Sequence, residues 1–180
     1  MRSRATPVRI RKRALDCFRK LSTSLLVVSV ALSFPYVATR AAQDDLAFSI
    51  EITLSQKAAA KLAALHEGII VAALYSGDPA PGAEKHTDEI GRIDLGREDV
   101  ETPGKAGTVR VPGTKIKRNR FAWIKGPVLL NVNVYSARHS GPDNILACDF
   151  FDGNLEDAVH KPISLHCSLI AEGAETKHKE

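Results

Sequence analysis

Cysteine is scarce in this sequence. Three occur in 180 residues, and only Cys148 and Cys167 lie beyond residue 17. Two thiols alone do not make a closed tetrahedral metal site. The neighbouring His166 and His160 are the obvious candidates to complete one, but His166 directly precedes Cys167, and adjacent strand residues project to opposite faces. A catalytic thiolate needs a cation or a helix N-terminus beside it. Here Cys148 alternates with Leu146 and Phe150, and Cys167 with Leu165 and Leu169, so both thiols belong to apolar faces. The remaining reading is a disulfide between two strands that are neighbours or face each other. Closing a loop of about 20 residues stabilises a fold by about 3 kcal/mol on the chain-entropy model.

Other absences narrow the reading further. There is no internal repeat and no long low-complexity linker, which argues against a solenoid or a string of domains. Residues 21–38 carry no charge, and the basic stretch before them (Arg2, Arg4, Arg9, Arg11, Lys12, Arg13, Arg19, Lys20) has no adjacent arginine pair. A basic head, an apolar run and then small residues form a secretory signal of bacterial type, with cleavage expected near Ala41. The missing arginine pair argues against twin-arginine export. Cys17 precedes the apolar run, so it does not mark lipid attachment. The alternative is an inner-membrane anchor over residues 21–38. Eighteen helical residues reach roughly 27 Å, short of a hydrocarbon core of about 30 Å, and Pro35 breaks the helix.

The leader also carries the basic charge. Nine of the 25 basic residues and one of the 21 acidic residues fall within residues 1–41, so residues 42–180 hold 16 basic and 20 acidic residues, a net −4. Total charge therefore gives no support for nucleic-acid binding, and no nucleic-acid partner is expected.

Residues 42–171 are expected to form one domain, and residues 172–180 a disordered polar tail. Period-two alternation dominates: Leu46, Phe48, Ile50, Ile52 and Leu54 share one face, as do Val128, Leu130, Val132 and Val134, and then Ile163, Leu165, Cys167 and Leu169. Such alternation predicts half-buried strands. The run 68–75 is apolar on both faces and predicts a central strand. Shorter strands are expected over 90–96, 107–112, 119–125 and 144–151. The segment 55–68 has helical spacing, with Ser55 as N-cap and Gly68 as the stop. About seven strands and one short helix predict an antiparallel β-sandwich, immunoglobulin-like or transthyretin-like in outline, with a small closed barrel as the alternative.

Function is less legible. From 103 to 126 there is no acid, while Lys105, Arg110, Lys115, Lys117, Arg118, Arg120 and Lys125 stand among Phe121 and Trp123. One reading is a surface for an anionic partner (a polysaccharide, a lipid headgroup or an acidic protein surface) centred on Lys115, Lys117, Arg118, Arg120 and Trp123. The other pairs this segment with the acidic residues of 84–101, and the usual behaviour of charge runs favours it. Asp149, Asp152, Glu156 and Asp157 do not follow the spacing of a calcium loop; helix capping near Asp152 or Asn154 accounts for them. Arg138, His139, Ser140 and Asp143 share one turn-rich loop, which rarely brings a nucleophile, a base and an oxyanion site together. Trp123 and Tyr135 suit a core or its rim as well as a ligand platform.

The leading expectation is an exported binding or interaction module of the periplasm or cell envelope, with no catalytic residue, metal or cofactor. The alternatives are a small periplasmic hydrolase or metal-binding protein using His139 and Asp143 with His160 or His166, and a membrane-tethered domain.

Overall fold

The computed structural model describes residues 46–180; the leader, its cleavage site and the anchor alternative lie outside the described residues. Among the described residues nine strands form two sheets. The first contains β1 (Phe48–Leu54), β4 (Gly107–Val111), β6 (Leu146–Cys148) and β8 (Ile163–Leu169), in the order β4-β1-β8-β6. The second contains β2 (Gly68–Pro79), β3 (Ile93–Pro103), β5 (Ile124–Ser136), β7 (Phe150–Asn154) and β9 (His178–Lys179), in the order β3-β2-β5-β7-β9. Neither sheet closes into a barrel, and the arrangement is a β-sandwich.

Alternation explains which faces meet. Phe48, Ile50, Ile52, Val109, Val111, Leu146, Ile163, Leu165 and Cys167 from one sheet pack in a single cluster against the other sheet's Ile69, Val71, Ala73, Tyr75, Ile93, Leu95, Leu130, Val132 and Phe151. The intervening residues face outward, so the period-two pattern translates into one sealed core. β2 lies inside its sheet between β3 and β5, with Ile69, Val71, Ala72 and Ala73 almost fully buried.

The pairing is mixed, where a purely antiparallel sandwich was expected. β8 runs parallel to β1, with Ile50 opposite Ile163 and Leu54 opposite Cys167. β9 runs parallel to β7. Both parallel pairs join strands that are far from adjacent in the chain, with intervening elements long enough to return in the same direction; a second helix, α2 (Leu155–His160), lies between β7 and β8. The tail expected to be disordered contains β9, which pairs His178 with Phe150 and Lys179 with Phe151.

The first helix, α1 (Gln56–Leu65), joins the two sheets. Ser55 caps it, its Oγ accepting a hydrogen bond from the Ala58 amide at 3.0 Å. Ala58 and Leu62 turn into the core. The stop is His66, in the left-handed conformation at φ 51°. Gly68, expected as the stop, instead opens β2.

Two other expectations change. The run 144–151 was read as one strand, but it is two. Up to Cys148 it pairs with β8; from Phe150 it pairs with β5. Asp149 is the corner at which the chain changes sheet. The strand expected over 119–125 begins only at Ile124: Arg118–Trp123 form a 3₁₀ turn leading into β5. Lys117 donates its amide to the Leu95 carbonyl of β3 at 2.8 Å and Ala80, just past β2, donates to the Trp123 carbonyl at 2.8 Å, so this segment is held by single bonds to β3 and to the end of β2, not by a ladder.

Cys148 and Cys167 stand directly opposite each other in the β6–β8 pair and form a disulfide. Cys167 is fully buried. The bridge fastens the strand that changes sheet to its neighbour just before the corner.

Candidate partner-binding surface

The basic segment is built by close packing against β3. β4 ends at Val111, and Ile116 is buried as an anchor. At Gly96 (φ 116°) a side-chain carbon would fall 2.5 Å from the Lys115 carbonyl oxygen. Only glycine lets the loop approach the edge of β3 so closely. The loop then turns through its 3₁₀ segment and presents Lys117 and Arg120 to Asp94.

That contact is the geometric centre of the surface. Asp94 Oδ2 accepts from Lys117 Nζ at 2.5 Å and from Arg120 Nη1 at 2.9 Å. Asp94 Oδ1 accepts from the Gly96 amide at 2.9 Å, and Arg120 Nη1 also donates to the Asp94 main-chain carbonyl at 2.7 Å. The Lys117 hydrogen bond above all, helped by the Gly96 amide and the charges of Lys117 and Arg120, holds the Asp94 carboxyl below its ordinary value, although burial opposes it more strongly than any of these lesser contributions favours it. Beside this cluster the Trp123 ring stacks on His86, with centroids 4.0 Å apart and planes 7° from parallel, and the Arg120 guanidinium lies 5.7 Å from the Trp123 centroid.

The five residues singled out from sequence are thus in two states. Lys117 and Arg120 are engaged with an acid of the 84–101 segment, as the charge-pairing alternative requires, and Trp123 is engaged with His86 and Arg120. The exposed side chains of Lys115 and Arg118 make no hydrogen bond or ion pair with any described residue. Sequence reasoning missed His86 and the particular role of Asp94. The acidic run was visible, but which acid meets which base depends on the closeness of the loop at Gly96.

The three histidines of the hydrolase or metal-site alternative lie in different surroundings. His139 lies in a groove of about 690 Å³ with His66, Glu67 and Glu101, and its Nε2 is 3.1 Å from Glu101 Oε1. His160 lies beside a separate depression with Leu155 and Val159. His166 projects from the outer face of β8, where its Nδ1 is 2.9 Å from Thr53 Oγ1. Among the described residues no group of three or more His, Cys, Asp or Glu side chains is arranged to hold a metal ion.

The loop bearing His139 is pinned by a buried acid. Glu67, 4% exposed, accepts from the Gly68 and His139 amides on Oε1, both at 3.0 Å, and on Oε2 from the Ser140 amide at 2.8 Å and the Ser140 hydroxyl at 2.5 Å. Burial raises the Glu67 carboxyl, but the Ser140 hydroxyl and then the Ser140, His139 and Gly68 amides outweigh it and hold it at about 2. Ser140 therefore donates to a structural carboxylate, and Glu67 has its acceptor sites occupied. This groove is a strapped joint between α1 and the β5–β6 loop.

No protein-family model matches the sequence, and no curated protein or solved structure is similar to it.

Proposed function

We propose that the chain is an exported, non-catalytic binding module of the periplasm or cell envelope that captures an anionic partner through Lys115, Lys117, Arg118, Arg120 and Trp123. The observation that carries this reading is convergence. Two cations from one loop aim at a single carboxylate oxygen, so the fold has already brought like charges together around an anion. Lys115 and Arg118 stand in the same segment without counter-ions among the described residues. Charges of one sign so placed raise the local concentration of an oppositely charged partner and speed its capture.

Export rests on the signal-like leader and is supported by the disulfide, which persists in oxidising compartments. Among the described residues no helix is long and apolar enough to cross a membrane. A tether through residues 21–38 is the competing account of the leader, and recovery of the protein in the soluble periplasmic fraction would exclude it.

The test uses three anionic probes: polyglutamate, a uronate polymer and vesicles of an anionic phospholipid. Wild-type protein is expected to bind at least one at low ionic strength and to release it as salt rises. Replacing Lys115→Glu together with Arg118→Glu should abolish that binding. Both sites are exposed, so the unfolding free energy should stay within about 0.5 kcal/mol of wild type. Binding to none of the probes, or binding undiminished by the double reversal, overturns the reading.

A further inference from the structure

The outer face of the second sheet carries a groove separate from the exposed cations of the basic segment. Period two places outward residues of four neighbouring strands in one row there. Arg97 of β3 stands opposite Leu74 of β2, Leu74 opposite Asn131 of β5, and Asn131 opposite Asp152 of β7. At the usual strand spacing this row runs about 14 Å. All four residues line a groove of about 560 Å³, bordered also by the turn from Asp88 to Arg92. Asp88 Oδ1 accepts from the Ile90 amide at 3.1 Å and the Arg92 amide at 2.9 Å, and the Asp88 amide donates to the Arg92 carbonyl at 2.8 Å. The turn is braced from within, so a ligand meeting it does not have to order it.

Charge decides what can lie in the groove. Asp88, Asp94 and Asp152 line it together with Arg92 and Arg97. Just outside it Lys117 and Arg120 hold Asp94, and Asp99 holds Arg97. The carboxylates of Asp88, Asp94, Asp99 and Asp152 are therefore matched one for one by Arg92, Arg97, Lys117 and Arg120. A balanced lining attracts neither a polyanion nor a polycation. An added polypeptide strand needs a sheet edge, and β2 and β5, which floor the groove, lie inside their sheet.

What the groove offers is uncommitted hydrogen-bonding groups of both kinds around an apolar patch. Asn131 Oδ1 accepts from Asn133 Nδ2, which leaves the Asn131 amide hydrogens unused. The Asp152 carboxylate and the Arg92 guanidinium make no hydrogen bond or ion pair with any described residue. Leu74 and Ile90 are exposed beside them. A hydroxyl both donates and accepts, so a chain of hydroxyl-bearing rings matches this set where a charged or wholly apolar ligand does not.

We propose that this groove is a second binding site, for a neutral oligosaccharide. A sugar ring lays its C–H face on Leu74. Its hydroxyls donate to the Asp152 carboxylate and accept from the Asn131 amide and the Arg92 guanidinium. The site does not depend on Lys115 or Arg118, so it stands or falls apart from the anion-binding reading.

The test is a titration of isotope-labelled protein with cellotetraose, maltotetraose and the N-acetylglucosamine tetramer, followed through amide chemical shifts. At least one should bind, with shifts centred on residues 74, 92, 131 and 152. Its affinity should not change between low and high salt, unlike that of a polyanion. Asn131→Ala and Asp152→Ala should each weaken it about fivefold, the equivalent of about 1 kcal/mol. The two changes lie at the surface on different strands, and the amide spectrum of each variant reports whether the fold is kept. Lys115→Glu with Arg118→Glu should leave sugar binding unchanged while abolishing capture of polyanions. The inference is overturned if none of the three sugars binds, if the shifts gather elsewhere, or if both alanine variants keep wild-type affinity. It is also overturned if a neutral peptide of alternating serine and leucine fills the groove more tightly than every sugar.

Discussion

Glu67 remains ionised in a setting that penalises charge, because four donors from residues 68, 139 and 140 converge on it. Its folded value of about 2 lies below the ordinary 4.5. The linkage then has a definite sign: the stabilisation is complete above about pH 4.5 and is lost as pH falls toward 2. Glu67→Gln should cost about 2–3 kcal/mol at neutral pH through lost charge-assisted bonds. Urea denaturation at a series of pH values should also show a shallower acid-side loss than in wild type. A wild-type slope retained in the variant would assign the acid sensitivity to other carboxylates. None of this is legible in the sequence, where Glu67 is an unremarkable acid after a helix and three of its four donors, from residues 139 and 140, lie more than seventy positions away.

Strands β1, β5 and β8 were legible because each has one buried face, which imposes period two on the choice of side chains. β3 was legible only at its start. Beyond Gly96 its outward face carries Arg97, Asp99 and Glu101, and even its inward-facing Glu98 is polar, with Tyr75 and Thr114 donating hydrogen bonds to it. Charge on both faces hides a strand from a hydrophobic pattern. The sheet change at Asp149 was hidden for the opposite reason: Leu146, Cys148 and Phe150 keep an apolar alternation across the corner, so that Asp149 reads as one outward residue of a continuous strand. The Asp149 carboxylate accepts from the Lys177 amide at 2.7 Å and the His166 amide at 3.3 Å, tying the corner to β8 and to the segment leading into β9. Asp149→Ala should therefore destabilise the fold by about 1–3 kcal/mol. It should also selectively raise amide exchange at residues 177–179. Unchanged protection there would mean that β9 is held by its pairing with β7 alone. In the basic segment the charges were legible, but their division into paired Lys117 and Arg120 and unpaired Lys115 and Arg118 was not.

At the scale of the molecule, two mixed sheets seal one core, and the Cys148–Cys167 bridge fastens the strand that crosses between them. A closed loop of about 20 residues limits the unfolded chain enough to stabilise the fold by about 3 kcal/mol, which suits a module working outside the reducing cell interior. The acidic balance of residues 42–180 sets the basic patch apart as a local feature, so capture by that patch should depend on salt. The central claim is an exported, oxidised module that holds an anionic partner. It is tested most directly by a native mass measurement on protein recovered from its host, at low and at high ionic strength and again after reduction. The account predicts a chain beginning near residue 42, lighter than its reduced form by the hydrogens of its two thiols, with an anionic partner bound that is shed as salt rises. A chain retaining residues 1–41, free thiols, or the absence of any partner shed by salt would contradict it.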